Sequence, residues 1–372
     1  MKKAILIFLS LIITVSCVAC IGDNVRSLDP EPVSDPEPEV SSVVVSEVQK
    51  DYDIALITDS KALEDETNMS LWKSIVAYGD TNSKTYQYYT AESIEKNGES
   101  AIKEAIEDHV KIVVLPSSSY KSVVLNMQDK YPDVSFLLVG TQPDEKLGDN
   151  VHCIKFKEEQ AGYLAGYFAV MEGYTTVGFI GDGDNARNMR YVYGVVQGAD
   201  DATQELRIHD VSVKYTFIDA KEDKAKSVSK KMYESGVDVI FACNSKIIKG
   251  AAQTARDKKK KIICGEKVYD EYGDVVLESI AFNNMEAVDY SIKTSFDSNL
   301  NWKENNDDNN INLGIENNCI YIPNDDESWK FENFNYAFYE DVCERFVNGE
   351  VEVTDKTDSK PPIASVVYNY FE

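Results

Sequence analysis

The chain has 372 residues, which is enough for two domains of ordinary size. It carries 64 acidic and 38 basic residues, a formal net charge of −26, and 43% of its residues are hydrophobic. That hydrophobic content excludes wholesale disorder, and the negative charge argues against a nucleic-acid partner, whose phosphates require clustered lysine and arginine.

The N-terminal segment has the features of a bacterial lipoprotein signal peptide. Two lysines precede the apolar run Ala4–Val15, which is too short to span a bilayer. Small residues lead into Cys17, as in a lipobox, and Cys20 follows it. We predict a signal peptide over residues 1–16 and lipidation of Cys17, with Cys20 as the alternative. An ordinary signal peptide with two incidental cysteines is the other interpretation.

Residues 17–50 are predicted to form an acidic tether. Within them, Asp29–Val40 holds five acidic residues and four prolines in twelve positions. Like charges repel and proline favours an extended chain, so the segment should hold the following domain away from the bilayer. A lipid at the N-terminus would place that domain at the outer face of the cell membrane.

From about Tyr52 onward, short apolar runs alternate with helical patterns such as Glu158–Glu172 and Glu222–Ser235, the latter followed by Gly236. Continuously apolar runs of this length are typical of strands in parallel sheets. The candidate strands are Ile54–Ile57, Ile112–Leu115, Phe136–Val139, Val177–Ile180, Val211–Val213, Val237–Ala242, Ile262–Cys264 and Val275–Leu277. Eight are too many for one compact sheet of this kind, so the pattern predicts two doubly wound α/β lobes.

Ligands of such sheets bind beyond the carboxyl ends of the strands. Acids, amides and hydroxyls follow five of the candidate strands, at Thr58–Ser60, Pro116–Tyr120, Gly181–Asn185, Cys243–Ser245 and Gly265–Lys267. Such groups suit a neutral polyhydroxylated ligand or one that bears a cation. Each of them could instead cap the helix that follows, so the binding interpretation depends on their recurrence at one edge.

The sequence offers little for catalysis. His109, His152 and His209 are far apart, and no pair of them has metal-ligand spacing. The loop Gly181–Ala186 lacks the third glycine of a dinucleotide-binding motif, and its two acids would repel a pyrophosphate. We therefore expect no catalytic residue, no metal site and no cofactor.

Two further features, a pair of cysteines and a basic run, can be explained without a functional role. Cys243 and Cys264 end strands that are candidates for neighbours, so either a disulfide or two buried free thiols is compatible with the sequence. The basic run Lys258–Lys261 precedes a strand and is typical of a solvated helix end.

Several stretches resemble the basic membrane protein family of lipoproteins, and together they cover about residues 53–353. They are Phe156–Tyr167 with Thr176–Gly181, Tyr215–Asp219 with Met232–Phe241, Thr58–Ser60 with Asp65, Asn68 and Trp72, and Gly349–Val353 at the C-terminal end. The resemblance implies a type I periplasmic-binding-protein fold, in which two lobes joined by a hinge close on a ligand. It also implies a purine-nucleoside receptor of an ABC importer.

The resemblance further implies which residues contact the ligand. Asp59 and Asn68 match polar contacts of the first lobe, and Phe217 matches the ring that stacks on the base from the second lobe, although a packing role for Phe217 stays open. Asn244 and Glu266 occupy the remaining positions of the expected site. Glu266 lies at the position where the family is expected to have an acid that contacts the ribose.

The sequence also departs from the family at the pocket. The aromatic residue expected immediately before Asn68 is missing, and Asn244 lies where the family has a glycine-rich turn. Phe282 replaces an expected lysine, and Gly140 replaces an expected acid. Phe282 is a candidate for a replacement ring.

These observations give one functional prediction and one alternative. We expect an extracytoplasmic solute-binding lipoprotein, anchored to the membrane through its N-terminal lipid, that captures a nucleoside-like small molecule and delivers it to an ABC transporter permease. The alternative is a surface sensor or interaction lipoprotein on the same scaffold with a diverged pocket. Lobe I is assigned residues 51–155 and about 279–310, and lobe II residues 156–278 and about 311–372.

Overall fold

The computed structural model describes residues 51–59, 61–140, 146–266, 272–300, 310–323 and 330–372. The predicted signal peptide, Cys17, Cys20 and the tether lie outside these residues. Residues Gln49–Glu372 form one compact unit. None of the helices in the described ranges is long and apolar enough to cross a membrane.

The first lobe is built on a sheet of six parallel strands. They are β1 (Ile54–Thr58), β2 (Tyr86–Thr90), β3 (Ile112–Leu115), β4 (Ser135–Val139), β5 (Val151–Phe156) and β12 (Asn310–Leu313), in the order β12-β5-β4-β3-β1-β2. Apolar side chains of α1 (Glu66–Asn82) and α8 (Asn284–Asp297) pack on one face, and those of α2 (Ile94–Glu107) and α3 (Lys121–Met127) pack on the other.

The second lobe has the same plan. Its six parallel strands are β6 (Thr176–Asp182), β7 (Ser212–Ile218), β8 (Val239–Ala242), β9 (Lys261–Cys264), β10 (Val276–Ser279) and β14 (Val367–Tyr370), in the order β10-β9-β8-β6-β7-β14. One face is covered by α4 (Glu158–Met171), α5 (Ala186–Leu206) and α9 (Tyr336–Val347), and the other by α6 (Glu222–Glu234) and α7 (Ser245–Lys258).

The chain passes from one sheet to the other after β5, after β10 and after β12. A short antiparallel pair, β11 (Ala281–Phe282) with β13 (Ile320–Tyr321), lies in these connections. Lys157 forms an ion pair with Glu316, which also accepts a hydrogen bond of 3.0 Å from Gln160 Nε2. Two of the three connections are therefore joined by side chains.

Four glycines allow α4 and α5 to pack closely. A Cβ added to Gly162 or Gly166 of α4, or to Gly194 or Gly198 of α5, would lie 2.0–2.2 Å from a carbonyl oxygen of the facing helix. No side chain fits at such a distance, so this helix pair requires glycine at these positions.

The predicted α/β class, with two doubly wound parallel sheets, is confirmed. All eight predicted strands are present, and the two predicted helices occur at Glu158–Met171 and Glu222–Glu234. Gly236, just beyond the second helix, has the expected positive φ of 93°. The strands that the sequence did not indicate are β2, β5, β11, β12, β13 and β14.

Candidate functional site

A cavity of about 550 Å³ lies where the first lobe, the second lobe and the connections between them meet. This volume is in the range of small-molecule sites. The first helix α1, the end of β9, and the segments around β11 and β13 all contribute to it. Its lining residues are Thr67, Met69, Ser70, Lys73, Glu266, Ala281, Phe282, Asn284, Met285 and Tyr321. We call this space the hinge cavity.

Two aromatic rings line the hinge cavity from the connecting segments. Phe282 and Tyr321 belong to the paired strands β11 and β13, where Ala281 lies opposite Tyr321. The Phe282 ring packs edge-on against Phe156, with the ring centroids 5.1 Å apart. The strand pairing and this ring contact hold Phe282 in place, which gives the cavity a fixed apolar wall.

Glu266 brings a carboxyl group from the second lobe to the hinge cavity. Partial removal from water raises the pKa of this group, while the Arg187 guanidinium and backbone N–H groups of Ser245 and Asn244 act in the opposite direction. Lys73, from the first lobe, lines the same cavity. A ligand in this space therefore meets one acid and one cation from different lobes.

Asn244 connects two strand ends within the second lobe. It precedes α7, where its Oδ1 accepts a hydrogen bond of 3.0 Å from the N–H of Lys246. Its Nδ2 donates to Asp182 Oδ2 at 3.2 Å, and its φ is +82°. The Asn244 side chain thus caps α7, which is one of the two roles that the sequence allowed for it. The backbone N–H groups of Asn244 and Ser245 face the Glu266 carboxyl group.

Asp59 and Asn68, which the resemblance assigned to ligand contacts, lie side by side in the first lobe. Asn68 is only 4% exposed, and its Nδ2 donates to Asp59 Oδ1 at 3.2 Å and to the Ala62 carbonyl at 2.8 Å. The pair lines a second cavity of about 230 Å³, and Thr67 lines both this cavity and the hinge cavity. Both amide protons of Asn68 are already used within its own lobe.

Phe217 lies in an aromatic cluster on the second sheet. Its ring is half-buried, with centroids 5.7 Å from Tyr215 and 6.4 Å from both Phe179 and Tyr370. Phe217 is not among the residues that line either cavity. Its contacts therefore match the packing role that the sequence left open.

Sequence reasoning missed Lys73 and Tyr321. Lys73 follows Thr67 and Ser70 at intervals of three on α1, so a polar stripe on that helix was the available signal. Tyr321 had no comparable signal, because β13 is only two residues long.

The structure also locates the glycine and the two cysteines that the sequence singled out. Gly140 directly follows β4 and has a φ of +77°, which favours glycine over the acid expected there. Cys243 and Cys264 are free and buried, and burial raises the pKa of both thiols. The described residues contain no group of three or more His, Cys, Asp or Glu that could hold a metal ion.

The family model for ABC transporter substrate-binding protein PnrA-like matches residues 52–357. Among curated relatives, the CD4+ T-cell-stimulating antigen of Listeria innocua is 28% identical over 222 residues, which is 57% of this chain and 60% of that protein. The ABC transporter nucleoside-binding protein BmpA of Lactococcus lactis is 26% identical over 216 residues, 56% of this chain and 60% of that protein. These matches span less than two thirds of the relatives' length.

Solved structures show the same fold. An ABC transporter solute-binding protein of Conexibacter woesei superposes with a TM-score of 0.63 at 16% identity, over 82% of this chain and 99% of that one. One from Aeropyrum pernix gives a TM-score of 0.59 at 15% identity, over 82% and 94%. The expected type I periplasmic-binding-protein fold is confirmed.

Proposed function

Because the chain belongs to the family of PnrA-like ABC transporter substrate-binding proteins, we propose that it captures a nucleoside-like small molecule between its two lobes for an ABC importer. The resemblance to the basic membrane protein family is thereby confirmed, and relatives in Borreliella burgdorferi bear that name. The proposed ligand class is supported by the relative in Lactococcus lactis, which is named a nucleoside-binding protein.

The observation that carries the proposal is the composition of the hinge cavity. Lys73 of the first lobe and Glu266 of the second line the same space of about 550 Å³. A ligand shifts an open–closed equilibrium only if it binds one state better than the other. A molecule that contacts both residues gains those contacts together only when the lobes are near each other, so its binding favours closure.

The lining side chains suit a nucleoside-like molecule. Phe282 and Tyr321 offer ring faces for a heterocyclic base, and stacking of this kind contributes about 1–3 kcal/mol per base. Glu266 accepts hydrogen bonds from ribose hydroxyls, and Thr67, Ser70 and Asn284 supply further polar groups. In this assignment Phe282, rather than Phe217, is the stacking ring, and Asp59, Asn68 and Asn244 lie outside the lining of the hinge cavity.

We extend the proposal to the location of the protein. The signal peptide over residues 1–16, the lipid on Cys17 or Cys20 and the acidic tether would place the two lobes outside the cell, at the membrane face. There the protein would meet the permease of an ABC transporter. In this role the lobes bind and release a solute without chemical change, and no cofactor takes part.

A thermal-shift screen tests the proposal. We expect nucleosides to raise the Tm of residues 49–372 progressively with concentration, because a ligand of the folded state alone adds RT ln(1 + [L]/Kd) to its stability. Free bases and free pentoses serve as partial ligands and should give smaller shifts. If no nucleoside, base or sugar raises the Tm at millimolar concentration, the proposed function is wrong.

A second candidate function is a surface sensor or interaction lipoprotein on the same scaffold. The observation that favours it is the internal pairing of Asn68 with Asp59 and of Asn244 with Asp182, which leaves fewer polar groups for a ligand. This candidate would be favoured over transport if a solute bound the protein but deletion of the permease left the cell's uptake of that solute unchanged.

A further inference from the structure

Basic residues are concentrated in one segment of this acidic chain. Residues 221–261 contain twelve of the 38 basic residues and only five of the 64 acidic ones. The segment comprises α6, β8, α7 and the start of β9. Its local excess of positive charge contrasts with the net charge of −26 over the whole chain.

Most acids of this segment are already paired with lysines. Glu222 contacts Lys226 at 2.7 Å and Lys249 at 3.2 Å, and Glu234 contacts Lys258 at 2.7 Å. Within the described residues, four exposed lysines of the segment form no ion pair, namely Lys230, Lys231, Lys246 and Lys259. The excess charge is therefore available to an outside partner.

The packing of α6 and α7 directs much of this charge to one face. The apolar side chains of both helices pack inward on the second sheet, so their polar sides face water. A groove of about 610 Å³ runs between them. Three lysines and one acid line it, together with Ser227, Gln253 and Thr254; the charged residues are Lys226, Lys230, Asp257 and Lys258. Thr254 Oγ1 donates to the Lys226 carbonyl at 3.3 Å, which ties the two helices together.

We infer that this α6–α7 basic face docks on the anionic phospholipid surface of a bilayer. The inference rests on the membrane location in the proposed function, and it departs from the expectation that the tether holds the domain away from the bilayer. An anionic bilayer repels the acidic remainder of the protein and attracts clustered lysines, so electrostatics select this face for the approach. The groove can receive lipid phosphates, because lysine is a point-charge donor to such groups.

The distribution of charge over the molecule favours a bilayer as the binding partner of this face. A bilayer is a plane that only one side of the protein touches, and the interaction decays over a Debye length of about 8 Å at physiological ionic strength. Acidic groups on the opposite side are then screened from the lipid charge. Each lysine near such a surface strengthens binding about fivefold.

Vesicle binding tests the inference. The probe is residues 49–372, which form one compact unit and carry no lipid, with vesicles of phosphatidylglycerol and phosphatidylcholine in equal parts. We expect binding that weakens as salt is raised and that is absent with phosphatidylcholine alone. The double variant Lys230→Glu, Lys231→Glu should reduce binding at least about tenfold. The matched control Lys96→Glu, Lys360→Glu reverses two exposed lysines elsewhere and should change binding less than about twofold.

Three results would overturn the inference: no binding to anionic vesicles, equal binding to neutral vesicles, or equal loss in both variants. Binding to an acidic peptide such as polyglutamate but not to vesicles would assign the face to a protein partner instead. Both variants should keep the parental Tm, because the substituted side chains are exposed. The assay contains no nucleoside, so its failure leaves the proposed solute binding untouched.

Discussion

Glu159 is a nearly buried carboxylic acid in the first turn of α4, close to the connection between the lobes. Desolvation raises the pKa of its carboxyl group to about 7, and the neighbouring Glu158 acts in the same direction. Arg190, whose Nε lies 3.9 Å from the Glu159 carboxylate, opposes the shift without cancelling it. The ionised form of Glu159 is therefore held in the fold at a cost.

The raised pKa of Glu159 makes the stability of the folded protein depend on pH. The folded protein binds this proton more tightly than the unfolded chain, whose glutamates titrate near 4.5. Stability from this group is thus full below about pH 4.5 and is lost as the pH rises to about 7. Above that pH the buried carboxylate lowers the free energy of unfolding by about 3 kcal/mol.

Glu159→Gln removes the titration while keeping the shape of the side chain. We expect the variant to be more stable than the parent protein at pH 8, by about 1–3 kcal/mol, and the gain to shrink toward pH 5. Urea unfolding at the two pH values measures the difference. A gain or loss that is the same at both pH values would show that Glu159 is ionised throughout.

Single residues of the site were predictable where a strand end placed them. The sequence indicated Asp59, Asn244 and Glu266 because they follow predicted strands, whose carboxyl ends lie at one edge of a parallel sheet, whereas Asn68 was indicated only by the family resemblance. The sequence could not show that the Asn68 amide group donates both of its hydrogen bonds within its own lobe, because those bonds depend on the fold of the loop after β1. Whether these residues bind the ligand stays a prediction.

The packing of α4 on α5 depends on glycine. Gly194→Ala would put a methyl group 2.0 Å from the Glu159 carbonyl oxygen, so the helices would have to separate. We expect a loss of at least about 1–3 kcal/mol in the free energy of unfolding. The matched control is Gly98→Ala in α2, where the nearest atom, Ile94 Cγ2, would lie 3.4 Å away.

In the control, alanine replaces a glycine inside a helix without a clash. Gly98→Ala should therefore leave stability unchanged or raise it by up to about 1 kcal/mol. Urea unfolding of the two variants beside the parent protein measures both effects. Similar changes in the two variants would show that α4 and α5 tolerate a wider separation than the glycines indicate.

Central strands were easier to predict from sequence than edge strands. β1, β3 and β4 are buried along their whole length and read as continuous apolar runs. β2 and β14 are edge strands with exposed residues, so their polar composition hides them. β5 carries His152 and Lys155 among its apolar residues, which breaks the run although most of the strand is buried.

The molecule as a whole combines two features of opposite charge. Its net charge is −26, whereas residues 221–261 carry a basic excess on one side of the second lobe. The sequence revealed the run Lys258–Lys261 but suggested only a solvated helix end. The neighbouring helix α6 adds Lys226 and Lys230 to the same groove, and only the fold brings the two helices together.

Solute capture by both lobes is the central claim, and isothermal titration of residues 49–372 with a nucleoside panel tests it most directly. We expect at least one nucleoside to bind the parent protein with one site. Lys73→Met in the first lobe and Glu266→Gln in the second should each weaken that binding at least about tenfold, because each loses a charged hydrogen bond of about 1.5–3 kcal/mol. Absence of binding by every nucleoside, or full affinity in either variant, would contradict the account.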